Sequence, residues 1–358
     1  MLDRLRKDID EDLRLFLGDM KKEYGLHRVS PLLFKGLKDF FLRKGKRIRP
    51  ALFIAGYKGY TKRKNVPYKK LVRSSLALEL LHNFMLVHDD VIDKSDLRRG
   101  KPTLHRFFNR SLSFPGGNEL GSGLSIAAGD IIFAMAVNVF LSLDENPSRK
   151  EKALKKFIET AMFTGSGEFI DIIGGTQKIE KISQKDVFRI YTLKTAKYTF
   201  EGPMLVGAML AGADQKELEK LSRMGIALGQ AFQIQDDLLD MFASSKEIGK
   251  PVLSDLNESK KTLLVWKAYN SLKGKDKKQL KNFLEKSKKT HSDLVEFRKL
   301  VKRSGAHIYC LDKIESLLQE ADSLCGELRM KSGSKKVLKK FVRDFFAKTE
   351  SLKKKIWK

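Results

Sequence analysis

Apolar residues recur at intervals of three and four along nearly the whole chain, the spacing that gives a helix one buried face. Leu2, Leu5, Ile9, Leu13, Phe16 and Leu17 mark such a face in a first helix. Residues 70–93 read as one long helix with Leu71, Leu76, Leu80, Leu81, Phe84 and Val87 apolar. A loop is expected over 109–123, around Pro115-Gly116-Gly117-Asn118. Asp130 then opens an apolar run, Ile131 to Leu143. That run is too short to cross a bilayer and predicts a buried central helix. Further helices are expected at about 150–173, 184–212, 215–242, 260–271, 276–286 and 291–303. Pro31 and Pro50 fall where helices start or stop. No strand-like alternation, fixed-period repeat or dividing linker interrupts the pattern. It predicts a single large all-α domain over 1–326. A basic amphipathic helical extension over 327–358 would dock on it through Val337, Leu338, Phe341, Val342, Phe345 and Phe346.

Composition narrows this reading. At 358 residues the chain is long enough to bury a large core. The N-terminus is charged and lacks the apolar stretch of a signal peptide. Two cysteines, Cys310 and Cys325, cannot build a disulfide framework or a four-cysteine metal site, and read as buried thiols. The expectation is a soluble, cytoplasmic protein without stable membrane insertion. Lys and Arg number 71 against 44 Asp and Glu, a formal charge of +27. Residues 327–358 carry 12 of the cations and 3 acids. Such an excess suits nucleic acid, an anionic ligand or a membrane surface. No nucleic-acid motif accompanies it, so no nucleic-acid partner is expected.

Two segments carry the chemistry. His88-Asp89-Asp90-Val91-Ile92-Asp93 and Gln235-Asp236-Asp237-Leu238-Leu239-Asp240 are both DDxxD, set in apolar flanks and 147 residues apart. On a helix, positions i and i+4 share a face. Asp89 therefore projects with Asp93, and Asp236 with Asp240. Carboxylates grouped beside Val, Ile and Leu suffer repulsion and desolvation, which a hard divalent cation offsets. An all-oxygen donor set that leaves room for water and phosphate favours Mg²⁺. Cations lie close by in sequence: Lys46, Arg47 and Arg49 before a helix, Arg98 and Arg99 after the first cluster, Lys194 mid-helix, and Lys250 and Lys260 after the second. Arg suits bidentate diphosphate contacts and Lys point-charge contacts. The combination suggests a cavity for two polyphosphates, one held through metal and one through bare cations.

These motifs resemble the trans-isoprenyl diphosphate synthase (polyprenyl synthetase) family over roughly residues 20–325. In order they are GKRIRP at 45–50, the first DDxxD with its RRG tail, AGD at 128–130, KTA at 194–196, FQIQDDLLD at 232–240 and GKPxxxDxxESKKT at 249–262. The resemblance implies helices around a deep central catalytic cavity and a homodimer. It implies Mg²⁺, three ions with substrate bound, on Asp89, Asp93, Asp236 and Asp240, with Asp90 and Asp237 in support. Arg98, Lys194, Lys250 and Lys260, with Thr195 and Gln233 beside them, would hold an allylic diphosphate. Lys46, Arg49, His82 and Arg99 would hold isopentenyl diphosphate. Phe84 and Met85, five and four positions before Asp89, would set product length, with geranylgeranyl diphosphate the expected product and farnesyl or longer chains the alternatives. A terpene cyclase would lack the second diphosphate pocket, and a non-catalytic partner subunit would typically have lost aspartates. Glu168 stands where the family often has Gln, and Ser259 where it usually has Gly before Lys260.

Overall fold

The computed structural model describes residues 2–112, 119–242, 260–286 and 289–356. Helices succeed one another through almost all of them. They are α1 (Leu2–Glu23), α2 (Leu26–Val29), α3 (Pro31–Phe41), α4 (Ile48–Tyr60), α5 (Tyr68–Ile92), α6 (Leu104–Leu112), α7 (Glu119–Leu141) and α8 (Pro147–Thr176). After α9 (Gln184–Ile190) the chain winds as a π-helix over Tyr191–Glu201 and runs on into α10 (Gly202–Ala211). Then come α11 (Gln215–Phe242), α12 (Leu263–Ser271), α13 (Gly274–Glu285), α14 (His291–Arg303), α15 (Ala306–Glu327) and α16 (Ser332–Ile356). Local sequence sets many of the starts. Ser30 and Asn146 cap helices that open on proline, and Ser183–Asp186 and Thr290–Asp293 form capping boxes.

Two apolar clusters make the core. One gathers α1, α3, α5, α6, α7 and α8 around Phe16, Phe41, Leu76, Leu80 and Phe140. The other gathers α11 to α16 around Leu228, Ile234, Phe297, Ile314 and Leu338. The helices α4 and α10 pack on each other between them and feed both clusters: Leu52 and Met204 face one, Phe53 and Val206 the other. The first aspartate helix, α5, thus belongs to one cluster and the second, α11, to the other. The π-helical segment packs on α8 and α11. Both close approaches need glycine. A Cβ on Gly229 would lie 2.2 Å from Cα of Ala196, and one on Gly167 would lie 2.4 Å from the Lys194 amide nitrogen.

Several sequence expectations change. The helix α7 starts at Glu119, not Asp130, so part of the expected loop is helical and α6 runs to Leu112 before it. The Pro-Gly-Gly-Asn stretch lies outside the described residues. Gly121 reads as a breaker but is a contact: a Cβ there would lie 2.3 Å from the His105 carbonyl. At 23 residues, with a mean hydropathy of 2.0 in its most apolar window, α7 is long and apolar enough to cross a membrane by length and composition, contrary to the thirteen-residue reading. In this fold it packs against α5 and α6. A two-residue antiparallel pair, β1 (Leu97–Arg98) with β2 (Lys101–Pro102), is the strand that alternation did not reveal. The expected helix over 184–212 is continuous but changes winding twice. Cys310 and Cys325 are buried free thiols. The helix α16 packs on α4, α11 and α15, burying Leu338, Leu352 and Ile356. The side chains of Phe341, Phe345 and Phe346 lie outside the description.

Candidate active site

The first cluster forms where α5 ends. Asp89 and Asp93, one turn apart, are joined by Glu168 of α8, with one carboxylate oxygen of each within 4.8 Å of the others. Gly167 is what lets α8 bring Glu168 against the π-helical segment. There Lys194 Nζ pairs with Glu168 at 2.7 Å and with Asp171 at 2.9 Å. Burial works to lower the Lys194 pKa, but Asp171, Asp89 and Glu168 together raise it, so the ammonium stays charged. Burial raises the Glu168 pKa against the pull of Lys194. Lys260, just before α12, lies 3.8 Å from Asp93.

Arg98, on β1, folds back on the same cluster. Its Nη2 donates to Asp89 at 2.9 Å and its Nε to Asp90 at 2.7 Å. Asp90 is the buried member, its side chain 1% exposed and its Oδ2 without a hydrogen-bond partner. Burial pushes its pKa up to about 6 despite Arg98. Asp130 of the AGD segment sits 3.6 Å from His88.

The second cluster is organised differently. On α11, Asp237 accepts hydrogen bonds from Tyr191 and, at 2.9 Å, from Gln233. Gln233 in turn accepts from Thr195 at 2.6 Å. Neighbours on the π-helical segment thus serve different clusters: Lys194 the first, Thr195 the second. Asp236 and Asp240 share the half-buried face of α11. Among the described residues only the first cluster brings three acidic ligand atoms this close. Gln235, just before Asp236, donates to Thr349 of α16 at 2.6 Å. Lys250 and Ser259 lie outside the described residues.

A separate basic group lies at the start of α4. Arg49 Nη2 donates to Thr199 at 2.7 Å, its guanidinium lies 4.0 Å over the Tyr198 ring, and its Nε is buried with no partner. Tyr198 also pairs with His82 Nδ1. Burial first, then Arg49 and Arg99, holds the His82 pKa well below its usual value, so the ring is neutral. Lys46, three residues before Arg49, is exposed. Arg99, at φ 57°, donates to the Arg43 carbonyl at 3.3 Å. On the α5 face, the Phe84 ring lies 4.7 Å from His88 and 5.1 Å from Phe133 of α7, and Met85 packs on the same apolar cluster.

Sequence reasoning placed the aspartates and named cations, but missed several partners. Glu168 registered only as a departure. Tyr191, Tyr198 and Phe133 carried no motif, although each stands on a helix opposite one that did. Arg47 counted as a third cation of its segment, yet it is buried in an ion pair.

Two aspartate helices drawn from the two apolar clusters of a nearly all-helical body define an isoprenoid synthase fold. The geranylgeranyl pyrophosphate synthase of Corynebacterium glutamicum, solved with isoprenyl diphosphate and magnesium, matches with a TM-score of 0.88 over 96% of this chain and 99% of its own, at 25% identity. A short chain isoprenyl diphosphate synthase of Methanocaldococcus jannaschii is 30% identical over 83% of this chain and 81% of its own. A geranylgeranyl diphosphate synthase of Sulfolobus acidocaldarius is 30% identical over 85% of each. The polyprenyl synthetase pattern matches residues 30–301, and the chain belongs to that family. It is a prenyltransferase, a trans-prenyl diphosphate synthase.

Proposed function

We propose that the chain condenses isopentenyl diphosphate head-to-tail with an allylic diphosphate, with geranylgeranyl diphosphate as its product. The observation that carries this is Phe84, five residues before Asp89 and about 7.5 Å lower along the helix axis. Backed by Phe133, its ring gives a floor at which a growing chain would stop. The naming of the Sulfolobus and Corynebacterium relatives agrees with that length.

The donor set fits Mg²⁺: Asp89, Asp93 and Glu168 offer three hard oxygens in close approach. Asp236 and Asp240 would supply the second set, for three ions once substrate is bound. Bound there, Mg²⁺ would neutralise charge developing on the departing diphosphate. Arg98, Lys194, Lys250 and Lys260 hold that diphosphate while its allylic C–O bond breaks. Glu168 and Asp171 keep Lys194 charged and aimed, and Thr195 and Gln233 orient Asp237. Lys46, Arg49 and Arg99 hold isopentenyl diphosphate without metal, and neutral His82 adds a hydrogen bond rather than charge. Phe84, Met85 and Phe133 keep water from the allylic cation. The double bond of isopentenyl diphosphate attacks that cation, a C–C bond forms, and a proton leaves to the released diphosphate.

A homodimer is part of the reading. Helices α7 and α8 leave Ile126, Leu141, Met162, Phe169, Ile172 and Ile173 exposed, Met162 and Phe169 by about two thirds. Such a patch suits a second copy of the same surface. Residues 1–326 form the synthase body and 327–358 a helix docked on it. The cytoplasm is the expected compartment. Mass spectrometry of products from isopentenyl diphosphate with dimethylallyl, geranyl or farnesyl diphosphate tests the proposal. C20 product is the expected outcome; a C15 end product, or one longer than C20, refutes the length assignment, and unconsumed isopentenyl diphosphate refutes the reaction.

A further inference from the structure

The first helix lies outside the stretch that matches the family pattern, yet it reaches the loop that carries Lys46 and Arg49. The link is Arg47. Standing between those two cations in sequence, it is only 3% exposed. Its Nε donates to Asp10 of α1 at 2.8 Å and its Nη1 to Glu79 of α5. Its Nη2 donates to the carbonyls of Phe41 and Arg43, each at 3.0 Å. Two buried or half-buried carboxylates thus face one guanidinium. Although burial works to lower the Arg47 pKa, Glu79 and Asp10 raise it. The backbone of Arg47 is left-handed, φ 50°, a conformation that a non-glycine residue keeps only where its surroundings over-determine it.

The network continues into the other cations assigned to the site. Arg43 donates to the carbonyls of Pro102 at 2.7 Å and Arg98 at 3.4 Å, and its own carbonyl accepts from Arg99. Glu79 lies one turn before His82 on α5. The Arg47 guanidinium therefore ties the first helix to the loop and to the His82 helix, and the Arg43 guanidinium carries the tie on to the β1–β2 turn. Elsewhere α1 is fastened independently: Asp8 accepts from Tyr68 at 2.6 Å, and Asp12 and Asp19 pair with Arg73 at 2.9 and 2.7 Å. Helix docking does not need Asp10.

We propose that Arg47, clamped by Asp10, is the positioning residue that sets Lys46 and Arg49 for the diphosphate of isopentenyl diphosphate, so that the first helix is part of the binding apparatus. This rests on the pocket assignment given under Proposed function. Asp10→Asn keeps an oxygen to accept the Nε hydrogen bond and leaves Arg47 balanced by Glu79, so the variant folds. It weakens a charge-assisted bond, and the loop loosens. The KM for isopentenyl diphosphate should rise about tenfold, with kcat and the allylic KM changed less than about twofold. Arg47→Lys, which keeps the charge but not the fork, should act in the same direction and more strongly. Asp12→Asn removes the same charge from the same helix but faces Arg73, and should leave that KM unchanged. An unchanged KM in Asp10→Asn, beside a raised one in Arg49→Ala, overturns the clamp and leaves the pocket standing. An equal rise in Asp12→Asn reduces the effect to helix docking and also overturns it. An unchanged KM in Arg49→Ala overturns the pocket assignment itself, and the clamp with it.

Discussion

Replacing Glu168 by Gln removes one charge from the first cluster and nearly nothing else. With ligand atoms up to 4.8 Å apart and an effective dielectric near 20, each like-charge pair costs about 3.5 kcal/mol. Glu168 makes two such pairs, with Asp89 and Asp93, about 7 kcal/mol unfavourable in all. Against this stands its pair with Lys194 at 2.7 Å, about 6 kcal/mol favourable on the same scale. The terms nearly cancel, so Glu168→Gln should leave metal-free stability within about 1–2 kcal/mol of the parent. Metal binding should not be spared. Losing an outer partner of a metal site typically costs 10–100-fold in affinity, and losing a ligating charge should cost at least about as much. The assay is Mn²⁺ titration of the substrate-free protein, by calorimetry or by the free-ion electron spin resonance signal, with a melting curve in EDTA as control. Unchanged Mn²⁺ affinity would refute the ligand reasoning and leave Glu168 as a partner of Lys194 alone.

Three further outcomes are expected. Phe84→Ala should lengthen the product beyond C20, read by mass spectrometry, while costing about 1–2 kcal/mol for a half-buried ring in an aromatic pair; Phe133→Ala should shift products in the same direction. Asp89→Asn and Asp236→Asn should each cut kcat about 10²-fold or more with the helical circular dichroism retained, and near-parent turnover at saturating Mg²⁺ would rule out their role. In EDTA, Asp90 should make stability depend on pH: its folded pKa, about 6, lies above the usual 3.8, so its contribution is full below about pH 4 and fades as pH rises through 6, a span of roughly 3 kcal/mol. Urea melts of the parent and of Asp90→Asn at pH 4.5 and 7 check this, and equal pH dependence in the two proteins would refute it.

The helices were legible because their cause is local. Apolar spacing, capping serines and threonines, and proline at first turns act within a few residues. The long helix over 70–93 and those over 215–242 and 291–303 accordingly lie within two residues of their expected bounds. Both aspartate motifs were legible for the same reason, since i and i+4 share a face whatever the helix packs against. The start of α7 was not, because Gly121 and Gly123 break helices by local propensity, and only the close approach of α6 at Gly121 shows why glycine is there.

What the carboxylates and cations do to one another was left to tertiary structure. Sequence alone set Arg47 beside Lys46 and Arg49 as three equal cations. The packing of α1 and α5 buried the middle one between Asp10 and Glu79 and left Lys46 exposed. Sequence alone marked Glu168 as a departure without a consequence. The Gly167 contact brought it from α8 to Asp89 and Asp93 on α5, and to Lys194 on the π-helical segment. Such groupings join residues tens to over a hundred positions apart. No local rule relates them, because their distances are set by how helices stack and by where a missing side chain lets two backbones meet.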